Sequence, residues 1–234
     1  MKALKGMGIA IVVLLLLLFL LPTVFPEALT NNVKAFANKK LNGELSFQET
    51  RLSFFSHFPS LTLILDDSLL KGSAPFEKDT LVVAQKVAFG INVKSIFFGD
   101  KIKIDKIFVF DGNIKVLVNE KGQPNYNVYT SESNEKVADT SSASLILERI
   151  DIKTMNLSYT DQSTKIVIVA KGLNYLGKGD LNVAVFDLKT NAQIESFDFT
   201  IDNETYLKNK KVNSELITKI NTNSLAFVFE QNNL

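Results

Sequence analysis

From Glu44 onward, apolar residues recur at every second position, and turn-forming residues separate the runs. A two-residue period puts alternate side chains on opposite faces of an extended chain, so the pattern restricts the fold to β-structure with an oily face and a wetter one. Leu61, Leu63 and Leu65 alternate with Thr62 and Ile64, and Val87, Phe89, Ile91 and Val93 alternate with Ala88, Gly90 and Asn92. Ile102 and Ile104 alternate with Lys101, Lys103 and Asp105. Further strands are predicted over 114–119, 145–153, 156–160, 165–170, 180–190, 193–202, 211–222 and 225–230. The stretch 211–221 also fits a helix through Val212, Leu216, Ile217 and Ile220, but Val212, Ser214, Leu216, Thr218 and Ile220 share one side of a strand. The expectation is about a dozen strands, antiparallel and with little helix between them.

Ahead of the strands, residues 9–21 form an unbroken apolar run, extended by Met7-Gly8 and by Pro22-Thr23-Val24-Phe25. A hydrocarbon core of about 30 Å takes roughly 17 to 25 helical residues, which 7–25 supplies. Lys2 and Lys5 precede the run, Glu27 follows it, and the next lysine is Lys34, so the N-terminus is expected in the cytoplasm and the rest across the membrane. A cleavable signal peptide begins the same way, but the exit Leu21-Pro22-Thr23-Val24-Phe25-Pro26-Glu27 has no Ala-x-Ala, which favours a retained signal-anchor. Beyond Pro26, Leu29, Val33, Phe36, Ala37 and Leu41 fall near helical spacing. They predict a short amphipathic helix that packs on the sheet or lies on the lipid surface. The chain divides accordingly into an anchor at 1–26, an exit helix at 27–42 and a β-rich domain at 43–234, with a polar, mobile loop expected at 130–144.

Charge and chemistry exclude several functions. Twenty-six basic residues against 25 acidic ones leave a net charge of +1, so no nucleic-acid partner is indicated. Cysteine is absent, which removes disulfides, thiolate metal sites and a cysteine nucleophile. His57 is the only histidine and sits among Phe54, Phe55 and Phe58, a structural setting at a turn. Asp66-Asp67 lacks the surrounding pattern of a calcium loop and reads as a solvated strand end. Gly172, Gly177 and Gly179 have neither Walker nor dinucleotide spacing and read as turn glycines. Asn156-Leu157-Ser158 and Asn203-Glu204-Thr205 match the glycosylation sequon, which is idle outside a glycosylating compartment. No catalytic residue, metal or cofactor is expected, and a membrane-anchored hydrolase lacks its acid, base and nucleophile.

Eighteen phenylalanines and 46% hydrophobic residues leave an apolar face that must be covered. It packs against a second sheet, as a closed β-sandwich serving as an interaction module, or it bends into an open groove that shelters acyl chains. In a groove each buried methylene contributes about 0.8 kcal/mol, with no directional chemistry required. The lining candidates are Leu61, Leu63, Leu65, Phe89, Ile91, Ile102, Ile104, Ile114 and Val116. A weak repeat relates Ile104-Asp105-Lys106-Ile107 and Asn113-Ile114-Lys115-Val116 to Leu147-Glu148-Arg149-Ile150 and Asn156-Leu157-Ser158-Tyr159, and suggests a sheet extended by added strand-turn-strand units.

Several pieces carry a resemblance in their order: the anchor, the exit helix, residues 52–65, Leu70-Lys71-Gly72-Ser73-Ala74-Pro75-Phe76, residues 88–99, Lys101-Ile102-Lys103-Ile104-Asp105-Lys106-Ile107, and Gly122-Gln123-Pro124-Asn125-Tyr126-Asn127. Together they resemble the N-terminal region of AsmA-like proteins, particularly those of Bacteroidota. The resemblance implies a single-pass protein of the bacterial inner membrane with its bulk in the periplasm, and no catalytic residues. It also implies a role in outer-membrane assembly and homeostasis and in phospholipid movement between membranes, akin to TamB and chorein-type lipid bridges. The fold it implies is the anchor and exit helix followed by an extended, curved antiparallel sheet forming an open groove. Members of the family are usually longer, so Leu234 is expected to be a truncated end. A dozen strands at about 4.8 Å span only about 60 Å, so a full bridge would need more chain, self-association through the C-terminal edge strand, or outer-membrane assembly partners.

Overall fold

The computed structural model describes residues 31, 41–57, 60–92, 95, 102–128, 143–180, 183, 185–221 and 226–233. The anchor at 1–26, and all of the exit helix at 27–42 except Asn31, Leu41 and Asn42, lie outside the described residues. Among the described residues no helix is long and apolar enough to cross a membrane. The loop expected at 130–144 also lies outside them, apart from Ala143 and Ser144, which already belong to a strand.

Ten strands follow: β1 (Leu45–Ser46), β2 (Glu49–His57), β3 (Ser60–Lys71), β4 (Thr80–Ile91), β5 (Ile102–Val118), β6 (Ala143–Asp161), β7 (Ile166–Lys178), β8 (Val185–Ile201), β9 (Glu204–Asn221) and β10 (Ala226–Asn233). All ten belong to one sheet, ordered β1-β3-β4-β5-β6-β7-β8-β9-β10, with β2 also paired to β3. Along β3, β1 takes Leu69 and Leu70 while β2 takes the part around Leu63 to Asp66, so the two short strands share one edge. At the other edge, β10 pairs with β9. The sheet is therefore open, and no second sheet lies among the described residues to make the sandwich that was the alternative.

Fewer and longer strands form than the turn signals predict. The expected breaks near 105–113, 154–155 and 191–192 lie inside β5, β6 and β8, which run for 17, 19 and 17 residues. β7 continues to Lys178, so Gly172 and Gly177 are strand residues and not turn glycines. β9 begins at Glu204, ahead of the expected 211. The misleading signals share one cause: Asp, Asn and Gly tolerate left-handed backbone, and that conformation occurs here within strands as well as in turns.

The strands are antiparallel except for β5 and β6, which run parallel. That corrects an all-antiparallel expectation and gives the weak repeat a different meaning. Ile107 lies opposite Ile150, Asn113 opposite Asn156, Ile114 opposite Leu157 and Val116 opposite Tyr159. The two copies are thus not hairpins added in series but two long strands lying side by side in register. Asn156 Nδ2 donates to Asn113 Oδ1 at 3.1 Å, a polar rung joining equivalent positions. A parallel pair needs a crossover of a dozen residues or more, and the chain between Val118 and Ala143 supplies it.

Burial is shallow and concentrated toward the first strands. Among the described residues twelve apolar side chains are buried, most of them on β3 to β6, and none on β8 or β9. Ile64, Ala88 and Phe108 form a cluster across β3, β4 and β5, with Phe110 against it. Ile64 was expected on the wet side of β3; it is 7% exposed, and Thr62 is fully buried. Both faces of β3 are thus buried, and Arg149 lies over the Phe108 ring of the cluster at 5.7 Å while donating to Asp151 at 2.6 Å.

Candidate functional site

Residues directly opposite each other on paired strands point to the same side of a sheet. One such row reads Leu63, Phe89, Ile107 and Ile150 across β3 to β6, and the next reads Leu65, Val87, Val109, Ile152 and Tyr175 across β3 to β7. Toward the nearer strand ends, Leu61, Ile91 and Ile104 continue the same face. Most of these side chains are half-buried, the condition of an apolar surface that neighbouring strands wall in and that no second layer among the described residues covers.

Past the middle of each strand the apolar alternation changes phase by one residue. On β5 it runs Ile107, Val109 and then Ile114, Val116; on β6 Ile150, Ile152 and then Met155, Leu157, Tyr159; on β8 Leu188, Ile194 and then Phe197, Phe199. A one-residue slip would send every later apolar side chain to the wet face. Left-handed residues stand near the slip: Asp67 on β3 (φ 51), Asp111 on β5 (φ 55), Thr154 on β6 (φ 53), Gly172 on β7 (φ 64) and Asn209 on β9 (φ 52). Asp67, Gln85 and Asp111 occupy the ladder positions left unpaired between Asp66 and Ser68, Lys86 and Ala84, and Phe110 and Gly112, with Gln85 between the two aspartates. Each such residue resets the pleat, so two successive residues face outward, as Gln85-Lys86 and Lys153-Thr154 do, both exposed. The apolar face thereby keeps to one side of the sheet from β3 to β8, and on β9 Lys210 enters it opposite Phe197.

This transverse line forms a crease across the strands, marked by the left-handed residues and the breaks in pairing. Immediately beside it, Ser68, Ala84, Gly112, Met155 and Leu173 form a row, with Ala84 and Met155 fully buried and Leu173 9% exposed. Asp67, Asp111 and Thr154 are exposed on the outside, around an open depression of about 500 Å³. Beyond the crease the apolar rows resume as Leu70, Val82, Ile114, Leu157, Ala170 and Phe197, then Val116, Tyr159, Ile168 and Phe199.

Of the candidate lining residues, Leu61, Leu63, Leu65, Phe89, Ile91 and Ile104 lie on this face on one side of the crease, and Ile114 and Val116 lie on it on the other. The backbone of Ile102 belongs to β5, while its side chain lies outside the described residues. Leu65 is 1% exposed and forms part of the crease interior, not an open wall. The residues missed were Ile107, Val109, Ile150 and Ile152 in the middle of the face, and the phase breaks at Asp111 and Thr154 were the signal that would have found them.

Asp66 and Asp67 are not a strand end: Asp66 accepts both Arg51 Nε at 2.6 Å and Arg51 Nη2 at 2.7 Å from β2, and Asp67 sits in the crease. His57 closes β2 opposite Ser60, and its side chain lies outside the described residues.

The segment Gly122–Asn127, noted in the sequence only for its resemblance, completes the outer end of β5. β4 pairs with β5 only as far as Ile114, which leaves Lys115 to Val118 without that neighbour. The fully buried Asn125 takes its place: its Oδ1 accepts from Leu117 N at 3.0 Å, its Nδ2 donates to Lys115 O at 2.8 Å, and its own N donates to Leu117 O at 2.9 Å. Ser73 N donates to Asn125 O at 2.8 Å, tying in the β3–β4 connection.

No curated protein matches the chain. The AsmA family model matches residues 1–219, from the N-terminus into β9. With that match extending over nearly the whole sequence, and an open, mainly β sheet beneath it, the chain belongs to the AsmA family.

Proposed function

We propose that this protein holds phospholipid acyl chains along the apolar face of its sheet, as a non-enzymatic component of lipid handling and outer-membrane assembly. In this reading the apolar run at 7–25 anchors it in the inner membrane with the sheet in the periplasm. The observation that carries the reading is the continuity of the apolar face across the crease on a sheet with open edges. A core-forming face needs only enough apolar area to meet its partner layer, whereas a face kept in phase over β3 to β8 offers a track longer than any one strand pair. Family membership supports the same general role. At about 0.8 kcal/mol per methylene withdrawn from water, even a short stretch of acyl chain is held firmly while it remains free to slide.

The test is photo-crosslinking of the full chain in a two-membrane bacterium. A photoreactive residue at Ile150 or Ile107 is expected to yield lipid adducts by mass spectrometry, while the same residue at Asn113, on the outer face beyond the crease and away from Lys178 and Lys189, yields none. Equal adducts on both faces, or none at Ile150, would sink the reading. The substitution Ile102→Asp with Ile104→Asp is expected to abolish lipid retention in protein that still folds.

A further inference from the structure

The polar face opposite the trough has a pattern of its own. Lys106, Arg149, Lys178 and Lys189 occupy one row across β5, β6, β7 and β8, each directly opposite the next. Neighbouring strands lie about 4.8 Å apart, so the row brings four cations close together. Like charges directly opposite each other on a sheet are destabilising. Two of the four are offset within the sheet: Arg149 pairs with Asp151 at 2.6 Å, and Lys106 Nζ lies 3.8 Å from Asp105 Oδ1. Lys178 and Lys189 are exposed, face each other, and form no ion pair with a described residue. They border an open depression of about 310 Å³ with Thr190, Asn191 and Glu215, and Asn191 Nδ2 donates to the Glu215 carboxylate at 3.1 Å. Two rows nearer the crease, past Ala88, Phe108 and Asp151, Lys86 and Lys153 flank Phe110 on the same face, both exposed. Acidic residues share this half of the outer face, Asp66 opposite Lys86 and Asp151 beside Arg149, whereas Lys178 and Lys189 stand directly opposite each other.

Lysines that protect a sheet from edge-to-edge aggregation stand on edge strands. β7 and β8 are interior, so edge protection does not account for Lys178 and Lys189. We propose that this row docks the outer face of the sheet on an anionic bilayer surface through phospholipid phosphates. Such a surface spreads its charge over a plane and asks for no directional acceptor, which fits a flat row with one cation per strand and no enclosed pocket. The apolar run at 7–25 would keep the domain within reach of a bilayer. This docking is independent of the trough on the other face, where binding rests on apolar burial and is insensitive to salt.

The experiment uses the full chain inserted in phosphatidylcholine nanodiscs, mixed with fluorescent vesicles of phosphatidylcholine alone or containing phosphatidylglycerol, and reads vesicle capture. Only the anionic vesicles are expected to be captured. Capture is lost as added salt shortens the screening length from about 10 Å at 0.1 M to about 3 Å at 1 M. The double variant Lys178→Gln, Lys189→Gln binds about thirtyfold more weakly, as removal of two cations from a charged membrane surface requires. The variant Lys178→Arg, Lys189→Arg restores capture, and Lys208→Gln with Lys210→Gln, beyond the crease, leaves it unchanged. Equal capture of neutral vesicles, salt-resistant capture, no capture of anionic vesicles, or a double Gln variant that binds like the wild type would each overturn the proposal.

Discussion

Asn125 acts as a piece of backbone made from a side chain. Its amide supplies one acceptor and one donor to a stretch of β5 that has lost its strand neighbour, and no other uncharged side chain does both at that reach. Asn125→Ala leaves the Leu117 N–H and the Lys115 carbonyl without these partners and is expected to cost about 1 to 3 kcal/mol, read as a lower urea midpoint. Asn125→Asp removes the donor and sets a carboxylate against a carbonyl, so it should destabilise at least as much. Asp161 caps the β6–β7 turn in a comparable way, accepting from Ser163 Oγ at 2.6 Å, Ser163 N at 2.8 Å, Thr164 N at 3.1 Å and Tyr159 OH at 3.1 Å. These bonds, the Ser163 hydroxyl first, lower its pKa from 3.8 to about 2. A carboxylate depressed on folding stabilises above its ordinary pKa and loses that contribution as the pH falls through the folded value. The stability difference between wild type and Asp161→Asn should therefore be full above pH 3.8 and close as the pH approaches about 2.

The strands carry their own compensation for the crease. A β-branched residue in left-handed backbone is costly, and Thr154 at φ 53 holds that conformation because the register on both sides of β6 fixes it. Thr154→Gly is expected to raise the unfolding midpoint, by up to about 1 kcal/mol, since glycine adopts the conformation without strain. The opposite holds at Gly112, where an added Cβ would lie 2.0 Å from the Val83 carbonyl oxygen and 2.8 Å from the Ala84 Cα. Gly112→Ala must push β5 away from β4 at the tightest point of the crease, and a loss of about 1 to 3 kcal/mol is expected. If Gly112→Ala were neutral in thermal unfolding, the crease would be wider than described.

On the scale of the whole molecule, nine strand positions in nearly sequential order make a sheet that grows by addition, with one mainly apolar face and an opposite face that is polar outside the Ile64, Ala88 and Phe108 cluster. The two faces should respond to opposite conditions: association through the apolar face is indifferent to salt, while association through the cation row weakens steeply with it. An Ile150→Asp variant is expected to lose acyl-chain crosslinks while still capturing anionic vesicles, and Lys178→Gln with Lys189→Gln to do the reverse. Loss of both activities in either variant would mean that the faces are not separable.

Strand identity was legible from residue alternation alone, because the two-residue period is a local property of the extended backbone. Leu61, Leu63, Phe89 and Ile91 could be assigned to a common face without knowing any neighbour. What lay beyond the sequence was pairing. Asp111-Gly112 and Lys153-Thr154 look like turns in isolation, and only the ladders on both sides show that the chain continues through them and shifts phase together with its neighbours. The parallel partnership of β5 and β6 was equally hidden: similar sequences give similar strands, but whether two copies form hairpins or lie side by side depends on where the crossover carries the chain. Local sequence thus determined that this protein is an alternating β chain with an oily side, while the long-range hydrogen bonds of the sheet decided that the oily side is one unbroken face, since only they can hold left-handed residues in line across strands distant in sequence.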